Sequence, residues 1–140
     1  MGNGKRLFWS AVISAVLYNM LQMFVHSFAL SQDYAATASL WRPQAEMKLL
    51  ITLLGNAVFG VFFAVVYVKG HEPKSPVMQG MRFGALMWTI VGLAPNLVWY
   101  AVAPWPGSLI WKWIAWSAFQ MLFLGTFVAV AYDFRRPRAA

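Results

Sequence analysis

The sequence predicts an all-α integral membrane protein in which four helices cross the bilayer and pack as a bundle. Its composition supports this class, because 61% of the 140 residues are hydrophobic and only 11% are charged. A soluble domain carries roughly 25% charged residues. The charged residues also lie mainly in short segments between long apolar stretches, as they do in membrane proteins. These observations together exclude a soluble globular domain.

Four apolar stretches have the length of a membrane span, and they cover residues 7–30, 49–68, about 80–102 and 109–132. At about 1.5 Å per residue, each covers the roughly 30 Å hydrocarbon core with some tilt. The first stretch is longer than the apolar region of a signal peptide and has no small-x-small cleavage site, so we expect it to be retained. We therefore expect one transmembrane domain over residues 1–140.

The basic residues predict the orientation of the chain in the membrane. Eight of them lie in the amino terminus, the second loop and the tail, and three lie in the first and third loops. The first group is Lys5, Arg6, Lys69, Lys74, Arg82, Arg135, Arg136 and Arg138, and the second is Arg42, Lys48 and Lys112. This bias predicts that both termini are cytoplasmic. Because the cations flank spans instead of covering one helix face, the net charge of +7 does not indicate a nucleic-acid partner.

The first span carries a polar stripe with a spacing of four residues, formed by Ser10, Ser14, Tyr18, Gln22 and His26. Residues four apart lie on one face of a helix. Since polar groups in lipid need partners, this face should point at protein, a ligand or water. Hydrogen bonds to other helices are the first interpretation, and a bound ligand is the second.

The other three spans each carry a row of small or polar residues at the same spacing. The rows are Thr52, Asn56, Gly60 and Ala64; Gly80, Gly84, Trp88, Gly92, Asn96 and Tyr100; and Ser117, Met121, Gly125 and Ala129. Small residues allow close approach of helices, so these rows predict the packing faces, with Thr52 and Asn56 as partners of the first stripe. Pro95 lacks a backbone N–H and should bend the third span.

The loop over residues 31–48 is the longest and most polar one. Pro43 followed by Glu46 predicts that the second helix begins near Pro43. Arg42, Glu46 and Asp33 are candidates for an ion-pair network over the bundle, although Arg42 also suits anchoring at lipid phosphates. We therefore treat Tyr18, Gln22, His26, Arg42, Glu46 and Asn56 as a candidate ligand-binding or interhelical polar cluster.

The sequence offers little for catalysis or metal binding. It has no cysteine, and His26 and His71 fall on opposite predicted sides of the membrane, so they cannot share one haem or metal ion. Ligation of a haem or pigment by His26 alone stays open, whereas His71 suits a solvated turn. No carboxylate lies within a span, as proton-coupled transport usually requires. We expect no catalytic residue, no metal site and no cofactor.

The outer loop resembles a family of small four-span proteins of bacterial inner membranes. The resembling residues are His26, Asp33-Tyr34, Leu40-Trp41-Arg42-Pro43 and Glu46-Met47, followed later by Pro106-Gly107-Ser108 and Lys112-Trp113. The resemblance covers most of the chain. It implies a bacterial four-span protein with a structured outer loop, and it points to His26, Arg42 and Glu46 as one cluster, without implying a substrate.

These features predict a non-enzymatic protein with several passes through a bacterial inner membrane. Its first expected role is that of an accessory or assembly subunit of a larger membrane complex. The alternative role is binding or carrying a lipophilic molecule such as a quinone, a pigment or a lipid, and transport ranks third. Expected partners are membrane lipids and other integral membrane subunits, or further copies of the chain.

Overall fold

The computed structural model describes residues 3–72 and 75–134. Every secondary-structure element in these ranges is a helix or a helical turn. Helix α1 (Asn3–Phe24) continues into a π-helical turn (Val25–Ala29), and α2 (Ser31–Ala36) follows. The later helices are α3 (Leu49–Lys69), α4 (Pro76–Met87), α5 (Ala94–Val102) and α6 (Gly107–Asp133). A second π-helical turn (Trp88–Leu93) joins α4 to α5, and 3-10 turns cover Ala38–Leu40 and Gln44–Glu46.

Four of the described helical stretches are long and apolar enough to cross a membrane. Spans one to four cover Gly4–Ala29, Leu49–Lys69, Pro76–Val102 and Gly107–Asp133. They confirm the four predicted apolar helices to within a few residues. Span three begins earlier than expected, because Pro76 occupies the first helical turn, where a missing N–H costs little. Arg82 therefore lies within α4, and its assignment to the loop was wrong.

The prediction that the second helix begins near Pro43 is also wrong. Pro43 precedes only one 3-10 turn, Gln44–Glu46, which has no side-chain cap. The backbone is extended at Met47, with φ −65° and ψ 129°, and the helix begins at Leu49. A single turn does not propagate without capping or packing, and residues 42–50 are all exposed.

Spans one and two form an antiparallel pair through a close backbone contact. A Cβ atom at Gly60 would lie 2.5 Å from Ala15 Cα, and Ala64 beside it is fully buried. Tyr18 packs on Phe59 with 4.4 Å between ring centroids. The half of the predicted row on span two that contains Gly60 and Ala64 is therefore a packing face.

Spans three and four form a second antiparallel pair through the two predicted rows. A Cβ atom at Gly80 would lie 2.5 Å from the carbonyl oxygen of Gly125. Gly84 approaches the backbone of Met121 in the same way, and Gly92 meets the side chain of Ser117. The structure confirms that these small residues allow the helices to approach closely.

Pro95 acts through the turn that precedes it. Its missing N–H leaves the carbonyl four residues earlier, at Val91, without its usual helical partner. The chain widens there into the π-helical turn Trp88–Leu93 before α5 begins. The Trp88 indole Nε1–H within this turn donates to the carbonyl oxygen of Ile114 at 3.0 Å, which ties the turn to span four.

Span four joins the two pairs and supplies much of the core. The core consists of Tyr18, Phe63, Ala64, Tyr67, Met121, Leu124, Val128, Ala129 and Tyr132. The Arg6 guanidinium lies over the Tyr132 ring, 5.0 Å from its centroid, so the first and last described helical turns lie together. We call this the His71 end of the molecule, and we call the opposite end, which carries residues 30–48, the His26 end.

Replacing Gly125 by alanine should loosen the contact between spans three and four. The added Cβ would meet the backbone of Gly80 and Gly84, which cannot move aside alone. We expect the free energy of unfolding to fall by about 1–3 kcal/mol, as for other overpacked sites. The measurement is thermal unfolding in detergent followed by circular dichroism.

Gly55→Ala is the matched control, since a Cβ at Gly55 would meet nothing within 4 Å. It should leave stability unchanged or raise it slightly, because alanine favours the helix over glycine. Equal unfolding midpoints for the two variants would contradict the packing described for Gly125.

Candidate functional site

The polar stripe of span one divides into a buried part and an open part. Ser10 and Ser14 are 1% and 0% exposed, and Tyr18 is also buried. Gln22 is half-buried and His26 is exposed. The hydroxyls of Ser10 and Ser14 have no hydrogen-bond partner among the described residues. The hydrogen bonds expected for the stripe are therefore concentrated in its second half.

A chain of hydrogen bonds connects the middle of span one to span four. Gln120 Nε2 donates to Gln22 Oε1 at 3.1 Å, and Gln22 Nε2 donates to the Tyr18 hydroxyl oxygen at 2.7 Å. Gln120 is buried, so its amide is not solvated. The expectation that Asn56 and Thr52 of span two would pair with the stripe is wrong, because Gln22 bonds to Gln120 of span four. Thr52 donates to the Lys48 carbonyl, and Asn56 makes no hydrogen bond within residues 3–72 and 75–134.

His26 is held at the other end of the stripe by Tyr34 of α2. The Tyr34 hydroxyl contacts His26 Nδ1 and lies 2.9 Å from Trp113 Nε1. Burial raises the pKa of Tyr34 to about 12; the hydrogen bond from Trp113 opposes this and the Asp33 charge adds to it. The phenol is thus neutral near pH 7. Because an indole N–H only donates, the Tyr34 oxygen accepts from Trp113, and its O–H is left to donate elsewhere, with His26 Nδ1 in contact.

The contact with Tyr34 occupies one of the two ring nitrogens of His26 and leaves Nε2 for another partner. Where the Tyr34 O–H donates to Nδ1, the proton of neutral imidazole lies on Nε2. The two rings are nearly parallel, with 5.7 Å between centroids, which fixes the plane of the imidazole.

Aromatic rings and one ion pair close the loop at the His26 end. Trp41 lies 5.0 Å from Tyr34 and 4.8 Å from Trp105 between ring centroids. The Trp41 indole also donates to Thr37 Oγ1 at 2.9 Å. Lys112 Nζ donates to both carboxylate oxygens of Asp33, at 2.7 and 2.9 Å. Asp33 therefore pairs with span four and not with Arg42 or Glu46.

Three of the six predicted site residues lie apart from this arrangement. Arg42 and Glu46 are exposed, and neither forms a hydrogen bond or salt bridge through its side chain within residues 3–72 and 75–134. Asn56 is half-buried on span two, and its amide has no hydrogen bond within those ranges. The structure brings Tyr18, Gln22 and His26 together and leaves Arg42, Glu46 and Asn56 outside.

A cavity of about 190 Å³ lies between spans one, three and four. It is lined by Tyr18, Gln22, Val25, His26, Val91, Asn96, Trp113, Trp116, Ser117, Gln120 and Met121. Asn96 Nδ2 donates to the Gly92 carbonyl at 2.6 Å, and Ser117 Oγ donates to the Ile114 carbonyl at 2.9 Å. His26 and Val91 are exposed, so the cavity reaches the surface between spans one and three.

The cavity has the size of a ring and not of a complete lipid. Sites for whole drug-sized ligands are about 300–1,000 Å³, whereas a cavity of about 150 Å³ accepts benzene. No charged side chain lies among its lining residues. The arrangement can therefore hold one neutral ring through amide and imidazole groups, with any apolar tail outside the cavity.

Several lining residues were not among the predicted site residues. Asn96 and Ser117 belong to predicted helix rows, but Gln120, Trp113 and Trp116 were not predicted to lie near His26. The available signal was that Gln120 is the single carboxamide in span four. A buried amide in a span must find a partner, and the open amide of Gln22 was the matching group.

A second polar cluster at the His71 end corrects the interpretation of His71 as a solvated residue. His71 Nε2 lies 3.0 and 3.1 Å from the two carboxylate oxygens of Asp133. Its ring also contacts Tyr132, with 5.2 Å between centroids. This pair ties the second loop to the end of span four. Among the described residues, no group of three or more His, Asp or Glu side chains is arranged to hold a metal ion.

Comparisons with known protein families, with curated proteins and with solved structures find no match for this chain. The resemblance of the outer loop to small bacterial inner-membrane proteins stays an expectation from sequence. The function of the cavity is therefore inferred from its own residues.

Tyr34→Phe should destabilise the His26 end. The change removes the hydroxyl that accepts from Trp113 and contacts His26, leaving both without this partner. We expect a loss of about 1–3 kcal/mol in the free energy of unfolding at pH 7. The measurement is a thermal or denaturant unfolding curve of the purified protein.

Tyr100→Phe is the control, because Tyr100 is exposed and its hydroxyl makes no hydrogen bond within the described part of the chain. If the Tyr34→Phe protein is as stable as the Tyr100→Phe protein, Tyr34 does not stabilise the His26 end.

The neutral Tyr34 phenol also predicts that the stability of the protein depends on pH. Its contribution to stability should be complete below its ordinary pKa of 10.0 and should be lost as the pH rises towards about 12.

Proposed function

We propose that the chain is a non-enzymatic, multi-pass protein of a bacterial inner membrane that binds the head group of a lipophilic molecule. The observation that carries this proposal is the cavity at the His26 end, which combines amide groups, an imidazole and two indole walls. Small-molecule sites are concave and place a few convergent polar groups that orient the ligand, and Gln22, His26, Asn96 and Gln120 supply such groups here. This role was the alternative expectation from sequence, and the cavity raises it above the accessory role.

We further propose that the four spans form a bundle in the bilayer with both termini in the cytoplasm. Two observations support this orientation. The basic residues concentrate at the termini and in the second loop. Arg6 lies over Tyr132, so the start of span one and the end of span four lie at the same end of the molecule. In this orientation the His26 end is periplasmic and the cavity opens within the outer half of the membrane.

A neutral ring bearing carbonyl groups fits the cavity best. Its lining has no charged side chain, so an ionised head group would be buried without a counter-charge. His26 Nε2 and the amide groups of Gln120 and Asn96 supply hydrogen bonds. Trp113 and Trp116 supply flat aromatic walls, and an apolar tail would leave between spans one and three. A quinone has these properties.

The same residues do not favour catalysis. Ser117 is the serine among the lining residues and so the candidate nucleophile. Its hydroxyl donates a hydrogen bond to the Ile114 carbonyl. His26 Nδ1 is occupied by Tyr34, so the imidazole is not arranged as the base of a serine. This arrangement supports binding without a covalent step.

Titration with a short-tailed benzoquinone tests the proposal. Quinones quench indole fluorescence, and Trp113 and Trp116 line the cavity. We expect saturable quenching of the purified protein in detergent. Gln120→Leu should weaken binding about tenfold, because one lost hydrogen bond costs about 1.4 kcal/mol.

Gln44→Leu is the matched control, since Gln44 is exposed in the loop and is not among the lining residues. It should bind the quinone as the wild type does. Quenching that rises linearly without saturation, or that is equal in the Gln120→Leu and wild-type proteins, would contradict the proposed site.

The accessory-subunit role is the second candidate, and a different observation favours it. Asn56 is half-buried on span two without a hydrogen bond in the described structure, and Thr52 on the same row is exposed. A carboxamide in lipid gains about 0.6–2 kcal/mol from a partner on another helix. We propose that this face contacts another integral membrane subunit or a second copy of the chain.

Purification from native membranes in mild detergent tests this second role. The wild type should run as a complex of defined stoichiometry, and Asn56→Leu should reduce the bound partner several-fold. Thr89→Val is the control, because Thr89 is exposed on span three and donates only to its own helix. A wild-type chain that runs alone would count against an accessory role.

A further inference from the structure

A second cavity, of about 460 Å³, lies between spans one and four at the His71 end. Its lining residues are Arg6, Trp9, Ser10, Ile13, Phe127, Val130, Ala131 and Phe134. Its volume falls in the range of about 300–1,000 Å³ that is usual for ligand sites. Several wall residues, including Trp9 and Phe127, are exposed, so the cavity is a groove open to the membrane.

The polar groups of this groove lie together on span one. Arg6 and Ser10 are four residues apart and so share a helix face. Ser10 is 1% exposed, and its hydroxyl has no hydrogen-bond partner among the described residues, although it lines the groove. Leaving a buried hydroxyl unsatisfied is unfavourable. A ligand atom that accepts a hydrogen bond would satisfy it.

The remaining walls are apolar. Span four contributes Phe127, Val130 and Ala131, and Phe134 follows it directly. None of them has a charged or hydrogen-bonding side chain. A ligand that fills the groove must therefore present an apolar segment to span four and a polar group to Arg6 and Ser10.

The charge of the groove selects an anion. Among the described lining residues, Arg6 is the single charged one, and its guanidinium is positioned over the Tyr132 ring. Guanidinium groups bind phosphate oxygens in a bidentate manner.

We propose that this groove binds an anionic phospholipid. Its phosphate contacts the Arg6 guanidinium and the Ser10 hydroxyl, and one acyl chain lies along Ile13, Phe127 and Val130. Free inorganic phosphate would gain nothing from these apolar walls, so the lipid is the occupant that the whole lining fits. The site lies at the opposite end from the quinone-sized cavity, so it does not depend on the function proposed above.

Quenching of Trp9 by brominated lipids tests this site. The full chain is reconstituted in phosphatidylcholine vesicles that contain a small fraction of brominated phosphatidylglycerol or, separately, brominated phosphatidylcholine. We expect the phosphatidylglycerol to quench at a several-fold lower mole fraction. Trp9→Phe should remove the part of the quenching that is specific to this lipid, because Trp9 is the tryptophan in the groove.

Neighbouring basic residues separate a specific site from general surface charge. Arg6→Gln should abolish the preference for phosphatidylglycerol, whereas Lys5→Gln, which loses the same charge, should retain it because Lys5 does not line the groove. Equal quenching by the two lipids would overturn the proposal, and so would equal effects of the two substitutions. Complete competition by millimolar inorganic phosphate would overturn it by indicating a free-anion site.

Two further variants distinguish loss of the lipid site from misfolding of the protein. Ser10→Ala should weaken the lipid preference about threefold while leaving the unfolding midpoint unchanged or raised, since it removes a hydroxyl that has no protein partner. Ala131→Phe should fill the groove and displace the acyl chain, and Ala115→Phe, exposed on the same helix and outside the groove, is its control. Full lipid preference in a folded Ala131→Phe protein would overturn the proposal.

Discussion

The backbone contact between spans three and four is the constraint on which the rest of the arrangement depends. Gly80 and Gly84 approach the backbone at Gly125 and Met121 so closely that no side chain fits between them. Because the two backbones meet with no room for a side chain, such a contact fixes both the rotation and the axial position of the two helices relative to each other. Once span four is fixed, Gln120 faces span one and Trp113 reaches Tyr34, and these two contacts define the walls of the cavity at the His26 end.

The sequence allowed prediction of the spans and of which residues share a face, because both follow from hydropathy and helical spacing. It did not allow prediction of which neighbour each face meets. Gln22 has its partner on span four, 98 positions away in sequence, where Asn56 had been expected. His71 and Asp133, 62 positions apart, illustrate the same difficulty. Spacing within a helix contains no information about rotation between helices, and that rotation is set by contacts such as those of Gly125.

The polar face of span one borders two cavities that differ in their chemistry. At one end, Arg6 and Ser10 border a wide apolar groove that contains a single positive charge. At the other, Gln22 and His26 border a small cavity without charged side chains. Ser14, between the two groups of lining residues, is fully buried and lines neither cavity. A polar stripe that looks uniform in the sequence thus borders a different cavity at each end.

Both exposed residues at the rim of the smaller cavity belong to π-helical turns. His26 lies in Val25–Ala29 and Val91 lies in Trp88–Leu93. A π-helical turn holds one residue more than an α-helical turn, and such turns concentrate at functional positions. For the ligand proposed above, these two turns would form the entrance between spans one and three, at an opening whose lining does not include Gly80, Gly84 or Gly125.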